Sequence, residues 1–328
     1  MRASSNIQTR RKTDRSQQDT EPQNPHLKTM NRHPMTSFAA GISRRTMLRR
    51  TAQVLALTAT TGSLAPLLAA PASRRFKIGA CDWQLGKRSD TAAFDIAKEI
   101  GLDGLQLDLG TPENAMHLRQ AEVQKAFREA AGRTGVAIAS LGILELNAVP
   151  LKSDPRAAQW LAASIDVCKA LQLPITMAPC FGNGDLDMNK TAEIDQLVAV
   201  LKDLAIKAER QGVIIGLENY LSAEDNRRII DRVGSPALKV YYDVGNSTDK
   251  GRDILKEIRA LGKRICEFHA KDADHRLGQG RIDFKALRKA LDDIDFSGWI
   301  QIEAAVPRGV VVDYTADRKY LKDVFSDP

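Results

Sequence analysis

Histidine is scarce in this sequence, with 5 in 328 residues. His26 and His33 fall in a basic N-terminal stretch, which leaves His117, His269 and His275 for the rest of the chain. A site built on several imidazoles is therefore excluded by number. Cysteine is also sparse: Cys81, Cys168, Cys180 and Cys266 show no C-x-x-C spacing, so thiolate zinc and dithiol redox motifs are missing. The four read as buried free thiols, with a disulfide as the alternative if the protein reaches an oxidising compartment. No glycine-rich phosphate turn follows the first strand-like run, which leads instead into Asp82-Trp-Gln-Leu-Gly-Lys87. Basic excess is absent beyond residue 72. Residues 1–72 hold 11 Lys and Arg against 3 Asp and Glu, and the remaining 37 against 38 give residues 73–328 a net charge of −1. A nucleic-acid partner needs a positive surface that displaces counterions, and this region does not have one.

The N-terminal 72 residues read as a separate unit. Residues 1–29 are too polar to build a core and read as disordered. Ser43-Arg-Arg-Thr-Met-Leu48 precedes a modestly apolar run, Ala52 to Ala70, and then the small-residue sequence Ala70-Pro-Ala72. This order resembles a twin-arginine (Tat) export signal with its cleavage site, and it implies a periplasmic or otherwise exported protein whose only link to a membrane is that signal. A membrane anchor is the alternative, since about 20 apolar residues can span a bilayer. Thr58, Thr60, Thr61, Gly62, Ser63 and Pro66 interrupt the run and favour the signal.

From residue 73 to 328 one domain is expected. Eight strand-length apolar runs start at residues 76, 104, 136, 174, 213, 238, 265 and 299, spaced 25 to 39 residues apart, with amphipathic segments between them. The helical segments are expected over 91–100, 114–134, 154–171, 191–211, 223–233, 251–261, 284–292 and 314–325. Asp90 and Ser153 are candidate N-caps, and Gly101, Gly135, Gly212 and Gly262 sit where helices need a left-handed residue to stop. Eight βα units in about 250 residues predict a (β/α)8 TIM barrel. An open doubly wound sheet is the alternative, and the missing glycine-rich turn argues against it.

A barrel gathers its chemistry at the C-terminal ends of its strands. The fifth to eighth runs end in Glu218, Asp243, His269 and Glu303. Three carboxylates and one imidazole suit a single divalent ion of intermediate hardness, Mn²⁺ foremost, with Co²⁺, Zn²⁺ or Mg²⁺ as alternatives. Without an ion the three carboxylates would repel one another. Lys271 shares the rim and either meets substrate or pairs with Asp272; Trp83, Tyr220, Asn246 and Arg281 are candidate substrate contacts in the strand-end loops.

Leu217-Glu-Asn219, Asp243-Val-Gly-Asn246, His269-Ala-Lys-Asp272, Gly278-Gln-Gly-Arg-Ile-Asp-Phe284 and Ile302-Glu303 together resemble the xylose isomerase-like TIM barrels, over residues 76 to about 325. That family includes ketose 3-epimerases, hydroxypyruvate isomerase, inosose dehydratase and endonuclease IV. The resemblance implies that Glu218, Asp243, His269 and Glu303 bind the metal, and that Glu218 and Glu303 also act as acid/base groups on opposite faces of a sugar. Its epimerase-like members carry a histidine where this chain has Asn246, a neutral amide that can still hydrogen-bond a hydroxyl. The expected activity is isomerisation or epimerisation of a non-phosphorylated keto-sugar through a metal-stabilised enediolate. Two alternatives are a metal-dependent dehydratase or lyase acting on an inosose or 3-keto-glycoside, and a non-catalytic sugar-binding barrel. Endonuclease IV, with its several histidines, does not match the histidine count. A homo-oligomer is compatible with the sequence.

Overall fold

The computed structural model describes residues 75–326, so the export-signal reading of residues 1–72 lies outside the described residues. Eight parallel strands close into a barrel in chain order, β8 pairing back onto β1. They are β1 Phe76–Cys81, β2 Gly104–Asp108, β3 Ala137–Gly142, β4 Ile175–Cys180, β5 Ile214–Asn219, β6 Leu238–Asp243, β7 Ile265–Ala270 and β8 Gly298–Ile302. Each lies within one residue of the apolar run that predicted it. A strand covered on both faces has no polar side to expose, so its limits are written directly in hydrophobicity.

Among the described residues nine α-helices ring the barrel: α1 Ala93–Ile100, α2 Ala121–Thr134, α3 Pro155–Leu171, α4 Thr191–Gln211, α5 Ala223–Val233, α6 Val244–Asp249, α7 Ile254–Leu261, α8 Phe284–Asp293 and α9 Val310–Phe325. None is long and apolar enough to cross a membrane. Their buried stripes, such as Ile194, Leu197, Val198 and Leu201 of α4, pack on the outer face of the barrel and form the main core.

Several helix ends differ from expectation. Asp154, not Ser153, caps α3 by accepting from the Arg156 N–H, and Pro155 then occupies the first turn, where its missing N–H costs nothing. Asp90 accepts from Ala92 N–H at 2.9 Å, which turns the chain ahead of α1 but does not cap it. Gly101, Gly135 and Gly212 are left-handed C-caps, whereas Gly262 has positive φ with ψ −129° and leads into a short 3-10 turn. The segment expected to be helical from residue 114 holds a short 3-10 turn, His117–Arg119, and becomes α-helical only at Ala121. All four cysteines are free, three of them buried and Cys266 partly so.

The inside of the barrel is more polar than the branched apolar layers usual in this architecture. Gln106, Ser140, Glu267 and Gln301 are fully buried there, and Tyr241 nearly so. Ser140 Oγ and Gln301 Nε2 donate to Glu267 Oε1 at 2.9 and 2.6 Å, and burial pushes the Glu267 carboxyl up to about 7. Register shifts precede Gln106 on β2 and Tyr241 on β6, and the Tyr241 hydroxyl donates to Gln106 Oε1 at 3.2 Å. Such irregularities re-aim a side chain locally.

Candidate metal centre

Four neighbouring strands deliver the ligand-type residues to one place. Glu218 is near the end of β5, Asp243 ends β6, His269 is near the end of β7 and Glu303 follows β8 directly, its N–H still donating to Ala270 O at 2.9 Å. One ligand atom from each lies within 4.8 Å of all the others. His269 Nδ1 is 2.8 Å from Glu218 Oε1 and 3.6 Å from Glu303 Oε2.

Each carboxylate is held differently. Asp243 Oδ1 accepts from Asn246 N–H at 2.8 Å and so caps α6, while its Oδ2 is buried with no hydrogen-bond partner. Glu303 Oε1 accepts from Gln84 Nε2 at 3.0 Å and Trp83 Nε1 at 3.4 Å, and its Oε2 faces Lys271 Nζ at 3.5 Å. Lys271 Nζ also lies 4.0 Å from Asp243 Oδ2.

The electrostatics show the crowding of negative charge. Burial, then the Glu303 charge, pushes Asp243 up to about 7. Burial works the same way on Glu303, but His269, Lys271, Gln84 and Trp83 together hold it below its ordinary value. Desolvation opposes the Lys271 ammonium, yet Glu303 and Asp243 raise it overall. For His269, burial disfavours the imidazolium and negative neighbours outweigh that. Cys81 is pushed up to about 12 by burial and stays a thiol near neutrality, so Glu218 and Glu303 carry the effect on His269.

This donor set fits a divalent ion. A buried carboxylate oxygen without a hydrogen bond is costly unless a cation stands close to it, and Asp243 Oδ2 has only Lys271 Nζ, at 4.0 Å. Mixed oxygen and imidazole donors suit an ion of intermediate hardness.

A cavity of about 160 Å³ opens over the cluster. Of the candidate contacts, Trp83, Tyr220, Asn246 and Lys271 line it, joined by Leu144, Asn147, Met177, Pro179 and Phe181. The Trp83 ring stands edge-on to His269 with centroids 6.3 Å apart, and Tyr220 packs on Phe181 at 4.5 Å. Larger clefts exist, such as one of about 490 Å³ beside the starts of β6 and β7 lined by Ile230, Leu238, Lys239 and Lys263, but it holds no such cluster.

Two expectations are corrected. The Arg281 side chain does not line the cavity; it is 62% exposed and its guanidinium pairs with Asp249. Lys271 pairs with Asp243 and Glu303, not with Asp272. The Asp272 carboxylate accepts instead from the backbone N–H groups of Gly278, Gly280, Arg281 and Ile282, at 2.8 to 3.1 Å. A side chain on Gly280 would collide with that carboxylate, so the Gly-Gln-Gly sequence shapes the loop around Asp272. Of the other histidines, His117 contacts the Ser89 carbonyl at 3.1 Å and His275 is exposed. Gln84, Gln106 and Cys81 are site neighbours that sequence reasoning missed. A glutamine inside the otherwise apolar Gly104-Leu-Gln-Leu-Asp108 was the available signal for one of them.

A closed parallel eight-stranded barrel with acid and histidine donors at its C-terminal rim defines a TIM-barrel protein of the enzyme type. More narrowly, the chain belongs to the xylose isomerase-like TIM barrel family, whose model matches residues 94–324. It is 28% identical over 200 residues to a 2-epi-5-epi-valiolone 7-phosphate 2-epimerase of Actinoplanes sp., covering 60% of this chain and 72% of that one. It is 25% identical to an inosose dehydratase of Geobacillus kaustophilus over 29% of this chain and 38% of that one. Among solved structures, D-allulose 3-epimerase from Methylomonas sp. superposes with a TM-score of 0.63 at 20% identity, covering 76% of this chain and 98% of that one. The 3-keto-D-glucoside 4-epimerase of E. coli superposes with a TM-score of 0.64 at 16% identity, covering 76% and 99%. The two relatives matched by sequence are named as an epimerase and a dehydratase, which supports an enzyme.

Proposed function

We propose that this chain is an exported, divalent-metal-dependent sugar isomerase or epimerase acting on a non-phosphorylated keto-sugar. The observation that carries the reading is the convergence of Glu218, Asp243, His269 and Glu303 within 4.8 Å beneath a cavity. These four would hold the ion, with Mn²⁺ the first choice. When bound, it would polarise a carbonyl and acidify the adjacent C–H.

The protein's own groups supply the proton transfers. Glu218 and Glu303 come from strands three apart on the rim, so they can act from different sides of a sugar. One removes the proton beside the carbonyl. Its return on the other face gives epimerisation, and its return to the neighbouring carbon gives isomerisation. Against burial, His269 and Lys271 first and then the donors from Gln84 and Trp83 keep Glu303 ionised, ready to accept a proton, and the two donors fix its position. Asn246 and Tyr220 would meet hydroxyls and a sugar face.

A free sugar is favoured by the cavity lining, in which, among the described residues, Lys271 is the only lysine or arginine and is already engaged by two carboxylates. The Actinoplanes relative is named for a phosphate ester, so this point is tested directly. Export is supported by Arg44 and Arg45 ahead of the apolar run and Ala70-Pro-Ala72. A second reading, β-elimination from an inosose or 3-keto-glycoside, is favoured by Lys271, whose ammonium faces the cavity and could protonate a leaving oxygen.

The test is a panel of free and phosphorylated ketoses, assayed with Mn²⁺ for loss of label from the carbon beside the carbonyl. Exchange on a free sugar is the expected result. Turnover confined to phosphorylated sugars would overturn the substrate class. A protein that takes up no divalent ion would instead leave a non-catalytic sugar-binding barrel.

A further inference from the structure

We propose that Gln106 is a positioning residue for His269: its Oε1 keeps the imidazole proton on Nε2 and so leaves the Nδ1 lone pair facing the cavity for a divalent ion. This rests on the metal reading above.

Gln106 sits in the middle of β2, fully buried, one layer below the acidic rim. Its Oε1 is 2.9 Å from His269 Nε2, 3.2 Å from the Tyr241 hydroxyl and 3.3 Å from Cys81 Sγ. Its amide nitrogen is 3.6 Å from Met177 Sδ. These neighbours decide which end of the amide is which. A hydroxyl, a thiol and an imidazole can all donate, whereas a thioether can only accept. Reversing the amide would turn its carbonyl toward a sulfur with no proton and leave the donors on the other side competing with its N–H groups.

Oε1 is therefore an acceptor, and an acceptor opposite Nε2 requires a proton on Nε2. A neutral imidazole carries only one, so Nδ1 is bare. Yet Nδ1 lies 2.8 Å from Glu218 Oε1, which is also an acceptor. Two lone pairs at that distance repel unless a second proton makes the ring an imidazolium that donates to Glu218, or a cation takes that proton's place when it binds. Oδ2 of Asp243 in the same cluster accepts no hydrogen bond and has only the Lys271 ammonium at 4.0 Å, an independent sign of the same need. A divalent ion satisfies both.

Metal-bound histidines commonly donate their second N–H to an outer partner, often a carboxylate, that fixes the ring and its tautomer. Here the partner is a neutral amide. It orients the ring without adding a fourth negative charge to a buried site that already holds three carboxylates.

The experiment compares the full-length wild type with Gln106→Leu and Gln106→Glu at pH 8, using Co²⁺ as the probe. Calorimetry gives affinity, the visible absorption band gives ligand geometry, and ¹⁵N-histidine NMR of the Zn²⁺-loaded proteins reports which nitrogen of His269 carries the proton. Wild type is expected to show a protonated Nε2. Gln106→Leu should bind Co²⁺ about 10- to 100-fold more weakly with a shifted band, while Gln106→Glu, which keeps an acceptor oxygen, should retain binding and band. Wild-type Co²⁺ affinity and spectrum in folded Gln106→Leu would overturn the inference and leave the metal reading intact. Should Gln106→Leu not fold, loss of Co²⁺ binding in folded Gln106→Glu would overturn it. A wild type that binds no Co²⁺ overturns both readings together.

Discussion

Lys271 lays its carbon stem across Gly245 in the first turn of α6. A Cβ on Gly245 would come within 2.6 Å of Lys271 Cβ and 2.7 Å of its Cγ. The bare backbone at 245 is what lets the ammonium reach 3.5 Å from Glu303. Gly245→Ala should therefore displace Lys271, with an overpacking cost of about 1–3 kcal/mol, partly offset by better helix propensity. Urea unfolding checks the cost. Turnover should fall further than divalent-ion affinity does.

Lys271→Met separates the role of the ammonium from that of the ligand set. The charge that stands beside Asp243 and Glu303 is removed, so ion affinity should hold or rise while turnover drops by about 10²- to 10⁴-fold, the range for losing a positioned proton donor. Unchanged turnover would remove Lys271 from the chemistry.

Glu303→Gln keeps an oxygen for Trp83 and Gln84 to donate to, so the local structure should persist. Label exchange beside the carbonyl should fall by at least about 10²-fold, with an unchanged circular dichroism spectrum. Exchange at the wild-type rate would exclude the acid/base role.

Asp108 provides a test of stability against pH away from the ligand set. Burial, opposed by Arg88, pushes it from 3.8 up to about 6. Below about 4 the carboxyl is protonated in both folded and unfolded chains and adds no pH dependence. Between there and 6 the unfolded chain ionises first, so stability falls as pH rises, by up to about 3 kcal/mol. Above 6 the loss is constant. Asp108→Asn should flatten this slope in urea unfolding measured from pH 4 to 7, whatever the fixed cost of losing the 3.1 Å contact with Arg88.

The proposed export signal predicts that replacing Arg44 and Arg45 together by lysine retains the protein in the cytoplasm. Cell fractionation with an antibody to the barrel reads this out. Normal export of the double variant would remove the twin-arginine reading.

The legibility of this site follows from where each residue sits in its strand. Glu218, Asp243, His269 and Glu303 close apolar runs, and the step from greasy to ionisable marks them in one sequence. Gln106 lies inside a run, where one polar letter reads as noise, and its contacts with His269 and Tyr241 join residues 163 and 135 positions apart. Helix α6 was missed because Val244, Gly245, Asn246, Ser247 and Thr248 are all indifferent helix formers. What starts that helix is Asp243, whose capping oxygen was read only as a ligand. Arg281 lies in a strand-end loop, where substrate contacts are expected, but Asp272 gathers the loop's backbone and the arginine side chain points outward to Asp249.

The rim around the cavity divides into two arcs. On the arc from β5 to β8, side chains are bound to one another through charge, and a change at one alters the electrostatics of all. On the opposite arc the cavity wall is Trp83, Leu144, Asn147 and Phe181, from the loops after β1, β3 and β4. Leu144 and Phe181 carry no charge and hold no ligand-type atom. Substitutions at Leu144 and Phe181 can reshape the space offered to a sugar while leaving the acidic cluster undisturbed, so divergence between members with one chemistry and different substrates has an open route through these two positions.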